Sequence, residues 1–249
     1  NEGDEVIVTS YDLGMNTYGG FGQCIKVPSE WVIPLPGNMT LKESMILGTA
    51  GLTAGMSVKR ITDKISKDNH PVAISGATGG VGSMCVGILG KLGYKVAAIT
   101  GKESESDYLK QLGATEIILR SEMEEKADRP LLKSRFSGAI DTVGGPILEN
   151  LFKSIGMNGV IAICGLVASP EINITVFPFI LRGLTVYGID SQDYPMPERK
   201  QVWENLASEW KPKNLKDMYD EVGLEGLSEK VEEILKGKLK RRVLVNLDK

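Results

Sequence analysis

The sequence predicts an α/β fold with a doubly wound parallel sheet through the middle of the chain, on three observations. Short apolar runs recur between residues 72 and 189, and segments long enough to be crossover helices separate them. A glycine-dense turn, Gly76-Ala77-Thr78-Gly79-Gly80-Val81-Gly82, sits at the first strand-to-helix junction. Parallel neighbours need about a dozen residues or more to return to the same edge, so this alternation reads as one parallel sheet and not as hairpins.

Before the sheet, residues 1–36 alternate β-rich runs (5–9, 23–27 and 31–33) with glycine and proline turns, including Tyr18-Gly19-Gly20-Phe21-Gly22. They predict short antiparallel strands, too few to stand alone. Thr40 followed by Glu43 is a capping box that opens a helix through Leu47, and a second helix is expected over 51–65. Strands then follow at 72–75, 95–100, 116–119, 139–143, 160–164 and 184–189. Between them lie helices at 81–92, 104–112 and 147–155, a charged helix or loop at 121–135, and the segment 176–182. After Pro195 and Pro197 come amphipathic helices at 198–210 and 227–235. A last strand at 242–247 is expected to return and pair with the β-rich beginning.

Composition narrows the function classes. With 42% hydrophobic residues, 24% charged residues and a net charge of −3, the 249-residue chain has core enough for one or two domains but no basic field for a phosphate backbone. Nucleic acid is not an expected partner. No stretch approaches the roughly 18 to 20 apolar residues that span a bilayer, so no membrane is expected either. No signal peptide precedes the first strand, and the cytoplasm is the expected compartment. Cys24, Cys85 and Cys164 are odd in number and widely spaced, which predicts reduced thiols. The only histidine, His70, lies in a polar loop, and no cluster of cysteines, histidines and carboxylates has zinc-ligand spacing. The chain starts Asn1-Glu2-Gly3 and enters a strand at once, which reads as a piece of a longer protein.

The glycine turn carries the chemistry. Ala77-Thr78-Gly79-Gly80-Val81-Gly82 fits the dinucleotide fingerprint with alanine at the first glycine. Gly79 lets backbone approach a pyrophosphate, Gly82 lets helix and strand pack closely, and the helix N-terminus supplies unpaired N–H groups. At the end of the next strand, where NAD binders place an acid for the ribose 2′-hydroxyl, the chain reads Thr100-Gly101-Lys102. A hydroxyl and a cation suit a 2′-phosphate, and Arg120 at the end of the third strand adds a second charge. Glu103 is expected to face outward. The reading favours NADP(H) over NAD(H). Other strand ends, at 141–145, 164–166 and 190–191, lie on the same edge, with Leu166 and Ser191 as neighbours for the nicotinamide half. Asn16 and Tyr18, in the first loop, are candidates for a substrate cleft. No nucleophilic triad is readable, and hydride transfer needs none, since the cofactor carries that chemistry.

Taken in order, Gly3-Asp4-Glu5-Val6, Gly48-Thr49-Ala50-Gly51-Leu52-Thr53-Ala54, residues 76–83, Ala139-Ile140-Asp141-Thr142-Val143-Gly144, Pro178-Phe179-Ile180-Leu181-Arg182, Gly188-Ile189-Asp190-Ser191 and Arg242-Val243-Leu244-Val245 resemble the medium-chain dehydrogenase/reductases. Within that family they are most similar to the YhdH/YhfP-type quinone oxidoreductases, which include acrylyl-CoA reductases. The resemblance implies a partial GroES-like catalytic domain from both chain ends, 1–46 and 193–249, around an NADP-binding Rossmann domain at 47–192. It also implies about eighty residues ahead of Gly3. Carried over by position, NADP contacts fall on Thr78, Gly79, Gly80, Val81, Thr100, Gly101, Lys102, Arg120, Leu166, Ile180, Ser191 and Arg242. Lys102 stands where relatives often have arginine, which keeps the charge but loses the bidentate fork. Zinc-dependent members have a cysteine at the place of Thr49, so the resemblance implies a zinc-independent enzyme. Family members pair the last sheet strand with its two-fold mate, which implies a homodimer. The implied reaction is NADPH-dependent reduction of an activated C=C bond in a small-molecule substrate, an enoyl thioester like acrylyl-CoA, with a quinone as the alternative. A non-catalytic NADPH-binding protein of the same fold is the reading from another class.

Overall fold

A computed structural model of the chain describes residues 1–125 and 127–249. Two short antiparallel strands, β1 (Val6–Ile7) and β2 (Ile33–Pro34), precede the first helix, α1 (Leu41–Thr62). The capping box forms as read: Glu43 N–H donates to Thr40 Oγ1 at 3.2 Å, and Thr40 N–H donates to the Glu43 carboxylate at 2.9 Å. The two helices expected here are the halves of α1, broken at Gly48, whose backbone (φ 50°, ψ −153°) is not helical.

The central alternation follows as β3 (Val72–Ile74), α2 (Gly80–Lys91), β4 (Val96–Thr100), α3 (Ser106–Leu112), β5 (Glu116–Leu119), α4 (Arg120–Glu124), β6 (Phe136–Asp141), α5 (Gly145–Ser154), β7 (Ile155–Ile163), α6 (Phe177–Arg182) and β8 (Thr185–Gly188). All six expected strands pair in parallel in the order β5-β4-β3-β6-β7-β8. β3, β4 and β6 are buried at every position, which is why they read as unbroken apolar runs. One face packs Ile61, Val86 and Leu89 together with Val202, Trp203 and Leu206, and the other packs Ile147, Leu151 and Phe152 against Ile99 and Ile161. Each such side chain contributes about 1.5–3 kcal/mol by burial. Between β3 and β6 the strand order reverses direction, and this opens the crevice where ligands of such sheets bind.

The chain ends with α7 (Met196–Ala207), β9 (Tyr219–Gly223), α8 (Leu227–Leu235) and β10 (Arg242–Asn246). Here the structure corrects the sequence reading. β10 does not pair with the chain's beginning; it runs parallel to β9, from Arg242 opposite Tyr219 to Asn246 opposite Gly223, with α8 in the connection between them. β9 was not expected, because its Asp220 and Glu221 are residues depleted in strands. The run 23–27 is exposed and forms no strand, since no neighbouring strand takes up its backbone groups. Cys24, Cys85 and Cys164 are all free thiols. Among the described residues no helix is long and apolar enough to cross a membrane.

Candidate functional site

The turn after β3 is built so tightly that two of its glycines leave no room for a side chain. Gly76 has φ +59°, and a Cβ there would collide with Thr142 Oγ1 of the neighbouring strand end. A Cβ on Gly82 would overlap Gly76 O and stand 2.8 Å from Gly76 C and 2.9 Å from Ala77 Cα. Asp141, fully buried at the end of β6, fixes the same turn. Its carboxylate accepts from Ser75 Oγ at 2.6 Å and from Gly144 N–H at 2.8 Å, while Thr142 N–H donates to Ser75 Oγ at 2.9 Å. Burial raises the pKa of Asp141 although these bonds oppose the rise.

Gly79 caps α2 without a side chain, so the first N–H groups of the helix face outward. They open into a cavity of about 530 Å³ lined by Gly79, Gly80, Val81, Phe21, Arg241 and Arg242, among others. Arg242 lies against the glycines: a Cβ on Gly80 would be 3.3 Å from its Nη1, and one on Gly48 would be 2.9 Å from its Nη2. Its Nε–H donates to Ile46 O at 3.2 Å, and no carboxylate pairs with it among the described residues. Burial lowers its pKa, with no acid nearby to offset that. A desolvated cation without a counter-charge, set at the positive end of a helix dipole, is a seat for a bound anion. The bare Gly79-Gly80 backbone and this charge without a carboxylate partner fit a dinucleotide pyrophosphate.

At the next two strand ends, Thr100 is buried and its Oγ1 accepts from Lys102 N–H at 3.0 Å. Gly101 lies beneath the Arg120 guanidinium, where a Cβ would touch Nε at 3.4 Å; Arg120 itself is half exposed and pairs with Glu124 at 3.3 Å. Lys102 turns instead toward the segment before β10, donating to Leu239 O at 2.7 Å and Lys238 O at 3.2 Å. That segment crosses the glycine turn, with Arg241 N–H donating to Thr78 O at 3.1 Å. Lys240 ties it down through Glu105 at 2.8 Å, a buried acid that sequence reading missed. Glu103 is exposed, as expected.

Comparison with known proteins places this geometry. The family model described as "Zinc-binding dehydrogenase" matches residues 80–208. The chain is 45% identical over 248 residues to "Putative quinone oxidoreductase YhfP" of Bacillus subtilis, covering 99% of this chain and 75% of that protein. It is 37% identical to "Acrylyl-CoA reductase AcuI" of Ruegeria pomeroyi, with 99% and 75% covered. The chain belongs to the medium-chain dehydrogenase/reductase family. Crystal structures of B. subtilis yhfP with NAD bound (44% identity) and of the Salmonella enterica yhdH oxidoreductase with NADP (36% identity) both superpose with a TM-score of 0.96, covering 99% of this chain and 76% of each.

In this medium-chain reductase, Gly165 passes so close to β6 that a Cβ would stand 2.7 Å from Thr142 C, and Leu166 beyond it is 63% exposed at the carboxyl edge. On the same edge, Ser191 Oγ is 2.9 Å from Thr53 Oγ1. The first loop is tethered beside it by Tyr11 N–H donating to Gln192 O at 3.1 Å. Within that loop Asn16 folds back on Asp12 at 3.0 Å, whereas Tyr18 is 93% exposed. Ile180 is the exception: the structure does not bring it to the carboxyl edge of its own chain. It sits on α6, whose Arg182 bonds Lys153 O at 2.8 Å and Ile155 O at the start of β7, which anchors this helix at the opposite edge of the sheet. Among the described residues no group of three or more histidines, cysteines and carboxylates is placed to hold a metal. Larger cavities, of about 600 Å³ beside α5 and 570 Å³ near His70, do not touch the glycine turn.

Proposed function

We propose that this chain is an NADPH-dependent reductase of an activated C=C bond, with an enoyl thioester like acrylyl-CoA as its preferred substrate class. The observation that carries the reading is Arg242, a half-buried cation without a paired carboxylate at the N-terminus of α2, on an edge where Thr100, Lys102 and Arg120 replace the acid of an NAD site. When bound, the dihydronicotinamide supplies a hydride for the β-carbon of an α,β-unsaturated carbonyl, and the α-carbon takes a proton. The chain's own part is to bind and orient. The N–H groups at Gly80 and Val81, with Arg242, hold the pyrophosphate; Gly79 leaves it room, and Gly82 lets α2 pack close against the turn. Arg120 and Lys102 hold the 2′-phosphate over Thr100 and Gly101; Lys102 exchanges the carbonyls at 238 and 239 for it. Leu166 and Ser191 flank the nicotinamide half, and Asn16 and Tyr18 border the space above it.

The relatives' names support two substrate classes, and the quinone is the second. Following NADPH oxidation with acrylyl-CoA and with a small quinone separates them; turnover of neither removes the proposal. We also infer that residues 1–46 and 193–249 form the substrate-side unit around 47–192, and that the protein is a homodimer. β8 is the outer strand of the six-stranded sheet, and next to it Ile180 and Leu181 are 71% and 53% exposed. Antiparallel pairing of two β8 strands across a two-fold axis carries α6 of one copy to the carboxyl edge of the other, which reconciles the expected role of Ile180 with its place in the single chain. A monomer mass by light scattering would overturn the dimer.

A further inference from the structure

We infer that Arg199, on α7, is the positioning residue that holds the first loop against the nicotinamide side of the site. Arg199 is fully buried, yet no carboxylate pairs with it among the described residues. Four backbone carbonyls satisfy it instead. Nη1 donates to Thr9 O at 3.0 Å, Nη2 donates to Ser191 O at 3.0 Å and Gln192 O at 2.9 Å, and Nε donates to Tyr194 O at 3.3 Å. One planar group therefore sets the spacing between the loop that begins at Thr9 and the turn that carries Ser191. Lysine, a flexible point charge, cannot reproduce that fork.

The loop it holds is strained. Ser10 (φ 70°) and Tyr11 (φ 52°) are consecutive non-glycine residues in the left-handed region, a conformation that persists only where surrounding contacts over-determine it. Their own side chains do little to fix it, for the hydroxyls of Thr9 and Ser10 are buried without partners. The restraint comes from across the fold. The Arg199 guanidinium lies 4.3 Å from the centre of the Tyr11 ring, and that ring stacks on Trp31 at 5.1 Å and 10°. Tyr11 N–H closes the arrangement on Gln192 O. From there the chain runs to Asn16 and Tyr18, and on the other side Ser191 meets Thr53. The glycine turn, Arg242 and Lys102 lie outside this network, and of the proposed cofactor contacts only Ser191 belongs to it, so loss of Arg199 bears on the substrate side of the site more than on cofactor affinity.

The inference rests on the proposed reductase reading for its kinetic arm and is tested by Arg199→Lys and Arg199→Ala together. Both are expected to lower kcat/KM for the unsaturated substrate about tenfold or more, because misplacement of an ångström at a reacting centre costs up to about a hundredfold. The NADPH Kd rises by far less than kcat/KM falls in both, Ser191 being the one proposed cofactor contact affected, and amide exchange accelerates at 9–17 and 191–192 but not at the glycine turn. Millimolar guanidinium ion, too dilute to denature, restores part of the lost kcat in Arg199→Ala. Should neither variant fold, Tyr11→Leu keeps the carbonyl bonds and removes only the ring, and the same directions are expected. Unchanged exchange at 9–17, or kcat/KM kept while that exchange rises, overturns the inference, as does a loss of NADPH affinity that matches the loss of activity. Exchange is read without turnover, so a wild-type chain that reduces neither substrate sinks the reductase reading while the role of Arg199 is still decided.

Discussion

Gly82→Ala tests whether the glycine turn is a ligand seat or only a tight turn. The added methyl would overlap Gly76 O and press within 2.9 Å of Ala77 Cα, where ordinary contact begins near 3.4 Å. No flexible side-chain end is there to yield, so the turn and the start of α2 must separate by about half an ångström to an ångström. Overpacking of this kind costs about 1–3 kcal/mol of stability. The same displacement moves the N–H groups of Gly80 and Val81 away from the pyrophosphate, and at about 1.4 kcal/mol per decade the loss of one or two charge-assisted hydrogen bonds weakens NADPH roughly ten- to a hundredfold. Gly79→Ala is the contrast. Its methyl meets only Gly76 O, at 3.2 Å, and the turn can give by a few tenths of an ångström. Its stability should hold within about 0.5 kcal/mol, while the methyl intrudes where the pyrophosphate backbone must approach. Urea denaturation and NADPH fluorescence titration on both variants read the two quantities separately. If Gly82→Ala binds NADPH within twofold of wild type, the argument from the turn is wrong.

Other outcomes follow from the same geometry. Lys102→Asp should weaken NADPH far more than NADH, and equal effects on both would contradict the assignment of the 2′-phosphate. Arg242→Met removes a half-buried charge that no carboxylate pairs with among the described residues, so the ligand-free melting temperature should stay level or rise while NADPH affinity falls about ten- to a hundredfold. A drop in both, of matching size, would mean the arginine is structural. Lys42 and Asn246 hold the Glu221 carboxyl down at about 2, from an ordinary value of 4.5. The stability this group contributes is therefore complete above pH 4.5 and is lost as the pH falls toward 2. Glu221→Gln should flatten that part of the acid unfolding curve, and an unchanged curve would show that the pair does not act on folding.

The fold was legible where burial is two-sided or local chemistry is strong. β3, β4 and β6 are apolar throughout because helices cover both faces of the sheet, and the Thr40–Glu43 cap is a pattern four residues long. The glycine turn was legible because no other residue type allows that close approach. What stayed hidden are contacts between distant backbone and side-chain groups. Arg199 reaches Thr9 across 190 residues, and Lys102 reaches Leu239 across 137, in both cases through carbonyls that any residue type supplies. Glu105, buried and paired with the exposed Lys240, looks in the sequence like one of several acids in a charged run. β9 escaped for a related reason: its pairing with β10 tolerates acids because its side chains stay half exposed.

The central claim is hydride delivery from NADPH to an activated double bond at this edge, and isotope transfer tests it most directly. With NADPH deuterated at the transferring position and acrylyl-CoA as acceptor, the propionyl product should carry one deuterium at its β-carbon and a solvent proton at its α-carbon. Deuterium at the α-carbon, or no transfer to the thioester or to a quinone, would contradict the account.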